Sequence, residues 1–176
     1  MRVSHPFAVV GLALLGSQVF AAPPTVPEAR KALTPLYAGI SKAFLARDLE
    51  GVLKYFGAAS DRKPGEKGTD PKELRTKFGT MFIMLKEMKS AKMEIAKLTV
   101  VGDRVVVLNR YSYVGVIEPE RGRTVKAADQ GVTRDTWART AKGWRIIHLE
   151  TLKSNPTING KPIDEVMKSP QAPPKK

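Results

Sequence analysis

The spacing of hydrophobic residues changes once along this chain, between Met88 and Met93, and this change constrains the fold more than any other feature. Before it, apolar residues recur at helical spacing, as in Leu33, Tyr37 and Ile40. After it the period falls to two, most clearly in the β-rich run Arg104–Ile117. Helices followed by antiparallel strands predict an α+β domain, in which a curved sheet wraps around the N-terminal helices.

Three helices are predicted in the first half. The first covers Glu28–Arg47, and Pro35 lies either in the first turn of a regular part that begins near Thr34 or at a kink. Asp48 is placed to cap a second, short helix. Asp70 is placed to cap a third helix, which we expect to continue to about Met88.

The sequence pattern in the second half of the chain predicts four strands joined by turns. The first two lie on either side of the turn Gly102-Asp103, a charged connection follows, and the last two form a hairpin around Ala141-Lys142-Gly143. The strands are expected at Met93–Val101, Arg104–Ile117, Val132–Thr140 and Trp144–Leu152, with the connection at Glu118–Ala128.

The N-terminus is typical of a secretory signal peptide. Arg2 supplies positive charge, Phe7–Leu15 is apolar, and Val19 and Ala21 are the small residues that signal peptidase requires. Cleavage after Ala21 makes residues 1–21 the signal and 22–27 a proline-rich leader. The apolar run is shorter than the roughly 20 residues of a membrane-spanning helix. We therefore predict an exported protein, periplasmic or extracellular.

Residue content limits the chemistry of the exported chain. There is no cysteine, so thiolate zinc sites and disulfides are excluded. Cleavage removes His5 and leaves His148 as the one histidine, so metal sites with two histidines are excluded as well. We expect neither a metal nor an organic cofactor.

Basic residues dominate the charge. The chain has 30 Lys and Arg against 17 Asp and Glu, and cleavage removes only Arg2, so the net charge falls from +13 to +12. Such a surface attracts polyanions. For an exported protein, acidic envelope polymers and membrane surfaces are more available partners than nucleic acid.

From residue 153 onward the chain is a polar, proline-containing tail whose end is expected to be disordered.

The register of the last hairpin determines which side chains surround His148. A three-residue loop with Gly143 in the left-handed conformation places Thr136 opposite His148 and Arg134 opposite Glu150. A two- or four-residue loop places Asp135 opposite His148 and Thr133 opposite Glu150 instead. The glycine at the end of the turn favours the first arrangement. Strand alternation predicts that His148 and Glu150 share a face with Trp144 and Ile146. This face either forms a polar patch in the pocket or is half-exposed, with Glu150 paired to an arginine across the sheet.

Two segments carry a resemblance to a known family. The segment 46–52, Ala-Arg-Asp-Leu-Glu-Gly-Val, is similar to the turn between the first two helices of the nuclear transport factor 2-like superfamily, and Trp137 to Trp144-Arg145-Ile146-Ile147-His148 is similar to its closing hairpin. The superfamily includes SnoaL-like polyketide cyclases, ketosteroid isomerases and the association domain of calmodulin-dependent kinase II. The resemblance covers residues 28–152.

The resemblance implies a cone-shaped fold with a central pocket, often in a homodimer. Many members carry a second histidine two residues after the one that matches His148, and a serine beyond it; here Glu150 and Leu152 stand at these positions. Pocket candidates are the aromatic, polar and charged residues of the predicted sheet: Tyr111, Tyr113, Arg134, Thr136, His148 and Glu150.

Three functions remain open from the sequence. The first is a domain that binds a small molecule or part of a partner without catalysis, which we favour. The second is a cofactor-free isomerase, cyclase or dehydratase that uses His148 with a carboxylate such as Glu150. The third is a basic interaction protein that docks acidic envelope polymers.

Overall fold

The computed structural model describes residues 22–120 and 122–168, without the side chain of Glu120. The predicted signal peptide and the end of the tail lie outside the described residues. The helices are α1 (Val26–Leu45), α2 (Leu49–Leu53), α3 (Pro71–Met84) and α4 (Ile163–Lys168), with a short 3-10 turn at Ala59–Asp61. The strands are β1 (Leu85–Val101), β2 (Arg104–Glu120), β3 (Arg123–Thr140), β4 (Gly143–Ser154), β5 (Thr157–Ile158) and β6 (Lys161–Pro162). Within residues 22–120 and 122–168, no helix is long and apolar enough to span a bilayer.

Short-range capping starts each of the first three helices. Thr25 and Glu28 form a reciprocal capping box at the start of α1, Asp48 accepts from the Gly51 amide at 2.8 Å, and Asp70 accepts from the Lys72 amide at 2.9 Å. Helix α1 passes through Pro35 without ending. Pro35 lies on the exposed side, so the carbonyl that loses its helical donor faces solvent.

The sheet is antiparallel and its strands are longer than the sequence pattern predicts. Helix α3 ends at Met84 rather than near Met88, because residues 85–88 pair with β2 at Ile117 and Gly115. The charged connection predicted at Glu118–Ala128 is also mostly strand. It forms the end of β2, a tight turn, and the start of β3, which pairs back to Glu120.

Strand β3 is central, since β2 lies along one side of it and both β4 and β5 lie along the other. Its C-terminal part pairs with β4, and Ala127 and Ala128 pair with β5. Helix α1 packs across the inner face of the sheet, which we define as the face toward α1 and α3. The core lies between them and includes Leu33, Val107 and Trp137. The observed architecture is the predicted one, a curved sheet around N-terminal helices.

The residues assigned to the tail contain regular structure. Strand β4 extends to Ser154, and a small hairpin of β5 and β6 leads into α4. Asn155 N–H donates to the Gln130 carbonyl at 3.0 Å, and Asn159 N–H donates to the Lys126 carbonyl at 2.8 Å. These bonds hold the segment 155–163 against β3, where it forms part of the wall described next.

Candidate functional site

A cavity of about 510 Å³ lies between the inner face of the sheet, α1 and α3. Its wall is mainly apolar and rich in aromatic rings. Met84 and Ile163 belong to the wall and are 59 % and 37 % exposed, so the cavity opens between α3 and the start of α4. The aromatic residues of the wall are Tyr37, Phe44, Phe56, Phe78, Tyr111 and Tyr113.

A buried carboxylate, Asp135 on β3, lies on this wall and is 1 % exposed. The Tyr37 hydroxyl, from α1, donates to its Oδ2 at 2.6 Å. Trp137 Nε1, two residues along β3, donates to the same hydroxyl at 3.0 Å. Because Thr133, Asp135 and Trp137 alternate with outward residues, one strand places all three on the inner face.

Asn109 extends this polar cluster onto β2. Its Nδ2 donates to Thr133 Oγ1 at 3.1 Å, across the register pair that joins the two strands. Asn109 Oδ1 and Asp135 Oδ1 are buried and have no hydrogen-bond partner among the described residues. Native proteins rarely leave buried acceptors unpaired, so these two oxygens mark a place where something else is expected to bind.

Burial raises the pKa of Asp135 to about 6, and the Tyr37 and Thr133 hydroxyls oppose the rise. Burial also raises the pKa of Tyr37 and of Tyr113, and the nearby carboxylate of Asp135 acts in the same direction on both. Both tyrosines therefore stay protonated across the range in which Asp135 titrates.

A second carboxylate on the wall, Asp129, is fully paired. It accepts from Tyr111 at 3.0 Å, from the Ser154 hydroxyl at 3.0 Å and from the Asn155 amide at 3.0 Å. Burial raises the pKa of Tyr111. Asp129 thus ties β2, β3 and the end of β4 together, and it offers the cavity less free hydrogen-bonding capacity than Asp135 does.

Of the six residues expected in the pocket, Tyr111 and Tyr113 lie on the cavity wall. The other four lie on the outer face of the sheet. Arg134 Nη1 bonds Glu150 Oε2 there at 2.8 Å, with the two side chains 48 % and 46 % exposed. Thr136 pairs with His148, whose Nδ1 is buried without a partner in the described residues but does not reach the cavity.

A bulge at Ile147 explains this placement. The loop has two residues, since Thr140 pairs with Gly143, but Trp137 pairs with Ile146 and Thr136 with His148, so Ile147 is an extra residue. His148 and Glu150 therefore have the strand partners that a three-residue loop would give them, Thr136 and Arg134. The bulge, and not the loop length, is the cause. Past the bulge the faces exchange, and Leu149 and Thr151 line the cavity in place of His148 and Glu150.

The bulge is held by chain segments that are distant in sequence. Ile146 N–H donates to the Tyr55 carbonyl at 2.8 Å, Gly57 N–H donates to the Ile146 carbonyl at 2.9 Å, and Thr69 N–H donates to the Ile147 carbonyl at 3.1 Å. The segment 55–69 thus covers the edge of β4. Gly143 has the left-handed conformation that the sequence predicts, with φ of 90°.

Asp135 and Asn109 are not among the pocket residues that the sequence predicts. Each lies at an inward position of its strand, beside a buried apolar or aromatic inward neighbour: Val107 for Asn109 and Trp137 for Asp135. A carboxylate two residues before a buried tryptophan on an alternating strand was the available signal. Across residues 22–120 and 122–168, no three acidic or histidine side chains cluster as metal ligands would.

No protein-family model matches the chain, and no curated protein matches it. Solved structures do. A candidate aromatic ring hydroxylase from Novosphingobium aromaticivorans aligns with a TM-score of 0.56 at 18% identity, over 76% of this chain and 96% of that chain.

Two further structures align over similar lengths. A candidate dehydratase of the NTF2-like family from Streptomyces avermitilis has a TM-score of 0.52 at 14% identity, over 72% of this chain and 97% of the other. An NTF2-like superfamily protein from Salmonella enterica has a TM-score of 0.50 at 16% identity, over 70% and 91%. At these identities the likeness concerns the fold, and by its fold the chain is a nuclear transport factor 2-like α+β cone.

Proposed function

We propose that this protein binds a small, mainly apolar molecule in the cavity, with the polar end of that molecule at Asp135 and Asn109. The observation that carries the proposal is a pair of buried oxygens, Asp135 Oδ1 and Asn109 Oδ1, which have no partner among the described residues and belong to side chains on a mainly apolar wall. Ligand pockets have this composition: an apolar lining with a few polar groups that fix orientation.

The size of the cavity supports the same function. A volume of about 510 Å³ lies within the roughly 300–1,000 Å³ typical of small-molecule sites. A core filled by its own tyrosine and methionine side chains would have left no such space.

A neutral apolar fluorophore, N-phenyl-1-naphthylamine, tests the proposal by fluorescence titration. The variant Ala127→Trp adds an indole to the cavity wall, and Gln130→Trp adds the same group at an exposed position of the same strand. We expect one probe to bind per chain, with at least tenfold weaker binding to Ala127→Trp and unchanged binding to Gln130→Trp. Equal affinities for both variants, or no binding to the wild type, would overturn the proposal.

Proton-transfer catalysis is a second candidate, favoured by the buried Asp135. With a pKa of about 6, this carboxylate is largely ionised at neutral pH and more basic than an ordinary aspartate, as a general base requires. The base would be the free Oδ1, while Tyr37 holds Oδ2. Asp135 would then be the catalytic base, in place of His148 and Glu150, which the sequence suggested.

A generic base probe, 5-nitrobenzisoxazole, tests this second candidate. Asp135 Oδ1 removes the proton from C3, the C–H electrons form the nitrile, and the N–O bond breaks to release a coloured phenolate. We expect Asp135→Asn to lose the catalysed rate and His148→Ala to keep it. A wild-type rate no greater than that of Asp135→Asn would exclude general-base catalysis at this site.

We also propose that the chain acts outside the cytoplasm as a homodimer with a polyanion-binding surface. The signal-like segment 1–21 supports export, and the family resemblance supports the homodimer. The net charge of +12 after cleavage supports polyanion binding. Light scattering tests the dimer. Salt-sensitive retention on an acidic polymer column tests the surface, and flow-through at low salt would contradict it.

A further inference from the structure

We propose that the ligand is an organic amine: a cationic ammonium group on an apolar, ring-containing body. This inference rests on the proposed function and names the chemical class of its ligand. The geometry that points to it is the placement of two free acceptor oxygens, one from a carboxylate, inside an aromatic wall.

Tyr37, Trp137 and Asn109 each use a donor within the polar cluster. Tyr37 donates to Asp135, Trp137 Nε1 donates to Tyr37, and Asn109 Nδ2 donates to Thr133. The Thr133 hydroxyl accepts from Asn109, and it also lowers the pKa of Asp135. The cluster therefore offers the cavity acceptors, and a ligand must supply the donors.

An ammonium group has enough donors to bond both free acceptor oxygens. Asp135 and Asn109 lie on adjacent strands, and both are near Thr133: Asn109 is its register partner, and Asp135 is two residues along β3. A primary ammonium carries three donors and can bond both oxygens at once. A carboxylate ligand carries none and would face two acceptors, so anions are disfavoured.

Among the described residues, no cation contributes to the pKa shift of Asp135. The groups that set its pKa are its own burial, Tyr37 and Thr133. Within the part of the chain that the structure describes, Lys77 is the one basic residue on the cavity wall, and it is exposed on α3. A buried carboxylate without a counter-ion costs folding free energy, and a bound ligand cation would offset that cost.

Aromatic rings supply a second attraction for a cation. Tyr111 and Tyr113 stack with ring centroids 5.1 Å apart, and Phe44 stacks on Tyr113 at 4.9 Å. These rings lie on the same wall as the acceptors. Aromatic faces attract ammonium groups, more strongly when water is excluded, and they also pack against the apolar body of a ligand.

Three naphthalene probes with one ring system and different head groups test the inference: 1-naphthylmethylamine, 1-naphthalenemethanol and 1-naphthoate. Affinities are measured by calorimetry at about pH 7.5, where the amine is protonated and Asp135 is ionised. We expect the amine to bind at least tenfold more tightly than the alcohol, and the carboxylate to bind most weakly. A charged hydrogen bond contributes roughly tenfold to 100-fold in affinity.

Variants connect the preference to its residues. Asp135→Asn should lose at least tenfold in amine affinity while the alcohol changes less than threefold, and Asn109→Leu should lose a smaller factor. Glu150→Gln removes the same charge from the outer face and serves as the matched control, with unchanged amine affinity. Amine binding that is equal in Asp135→Asn and the wild type would overturn the inference.

The outcomes separate this inference from the proposed function. If the alcohol or the carboxylate binds as tightly as the amine, and Ala127→Trp abolishes that binding, the cavity is a ligand site but the amine assignment is wrong. If none of the three probes binds and N-phenyl-1-naphthylamine does not bind either, both proposals fail together.

Discussion

Replacing Asp135 by asparagine should make the protein more stable at neutral pH, although it removes a hydrogen-bonded core side chain. Asparagine keeps the shape of aspartate and can still accept from Tyr37, which bonds Asp135 at 2.6 Å. It never carries the negative charge that burial disfavours. The new amide group takes the position of Oδ1, which has no hydrogen-bond partner among the described residues.

The magnitude follows from the difference between two pKa values. The pKa of Asp135 rises from 3.8 to about 6 on folding, a difference of about two pH units, and each unit corresponds to about 1.4 kcal/mol. The folded state thus binds the proton more tightly than the unfolded chain, and stability is lost as pH rises from about 4 to above 6. The loss in the wild type is roughly 3 kcal/mol, and Asp135→Asn should avoid most of it.

Urea denaturation of the wild type and Asp135→Asn at a series of pH values measures this effect. At about pH 8 the variant should be more stable by about 2–3 kcal/mol, and below about pH 4 the two curves should converge. Tyr37 and Tyr113 are coupled to Asp135 but remain protonated throughout, so they add no slope. A variant no more stable than the wild type at pH 8, with the same slope between pH 4 and 6, would refute the reasoning.

Three further predictions follow from other parts of the chain. Tyr37→Phe should cost roughly 2–4 kcal/mol in urea denaturation, because Trp137 Nε1 loses its acceptor and Asp135 its donor; a loss below about 0.5 kcal/mol would contradict the network. Glu150→Gln should change stability by less than about 1 kcal/mol, since its ion pair is exposed, and a larger loss would contradict that placement. Mass spectrometry of protein secreted from the full-length chain should find Ala22 at the N-terminus, and a retained residue 1 would contradict cleavage.

Features that depend on short stretches of chain were predictable. Asp48 and Asp70 cap helices because the amides they bond lie two or three residues away. Gly143 takes a left-handed conformation because its own turn requires it. The change of hydrophobic period was enough to predict the α+β architecture, since it records which faces are buried.

Features that depend on distant partners were not predictable. Residues 85–88 continue a helical pattern, yet they become strand because β2 is long enough to pair with them. The bulge at Ile147 depends on carbonyl and amide groups of Tyr55, Gly57 and Thr69, which local alternation does not include. One inserted residue was sufficient to move His148 and Glu150 to the outer face. The carboxylate that faces the cavity is on the neighbouring strand instead.

A crystal structure of the protein grown with 1-naphthylmethylamine shows whether the cavity binds an amine at Asp135. We expect the ligand inside the cavity, with its nitrogen within hydrogen-bonding distance of both Asp135 Oδ1 and Asn109 Oδ1 and its rings near Tyr111 and Tyr113. An empty cavity with the amine bound on the outer face, beside Glu150, would contradict it.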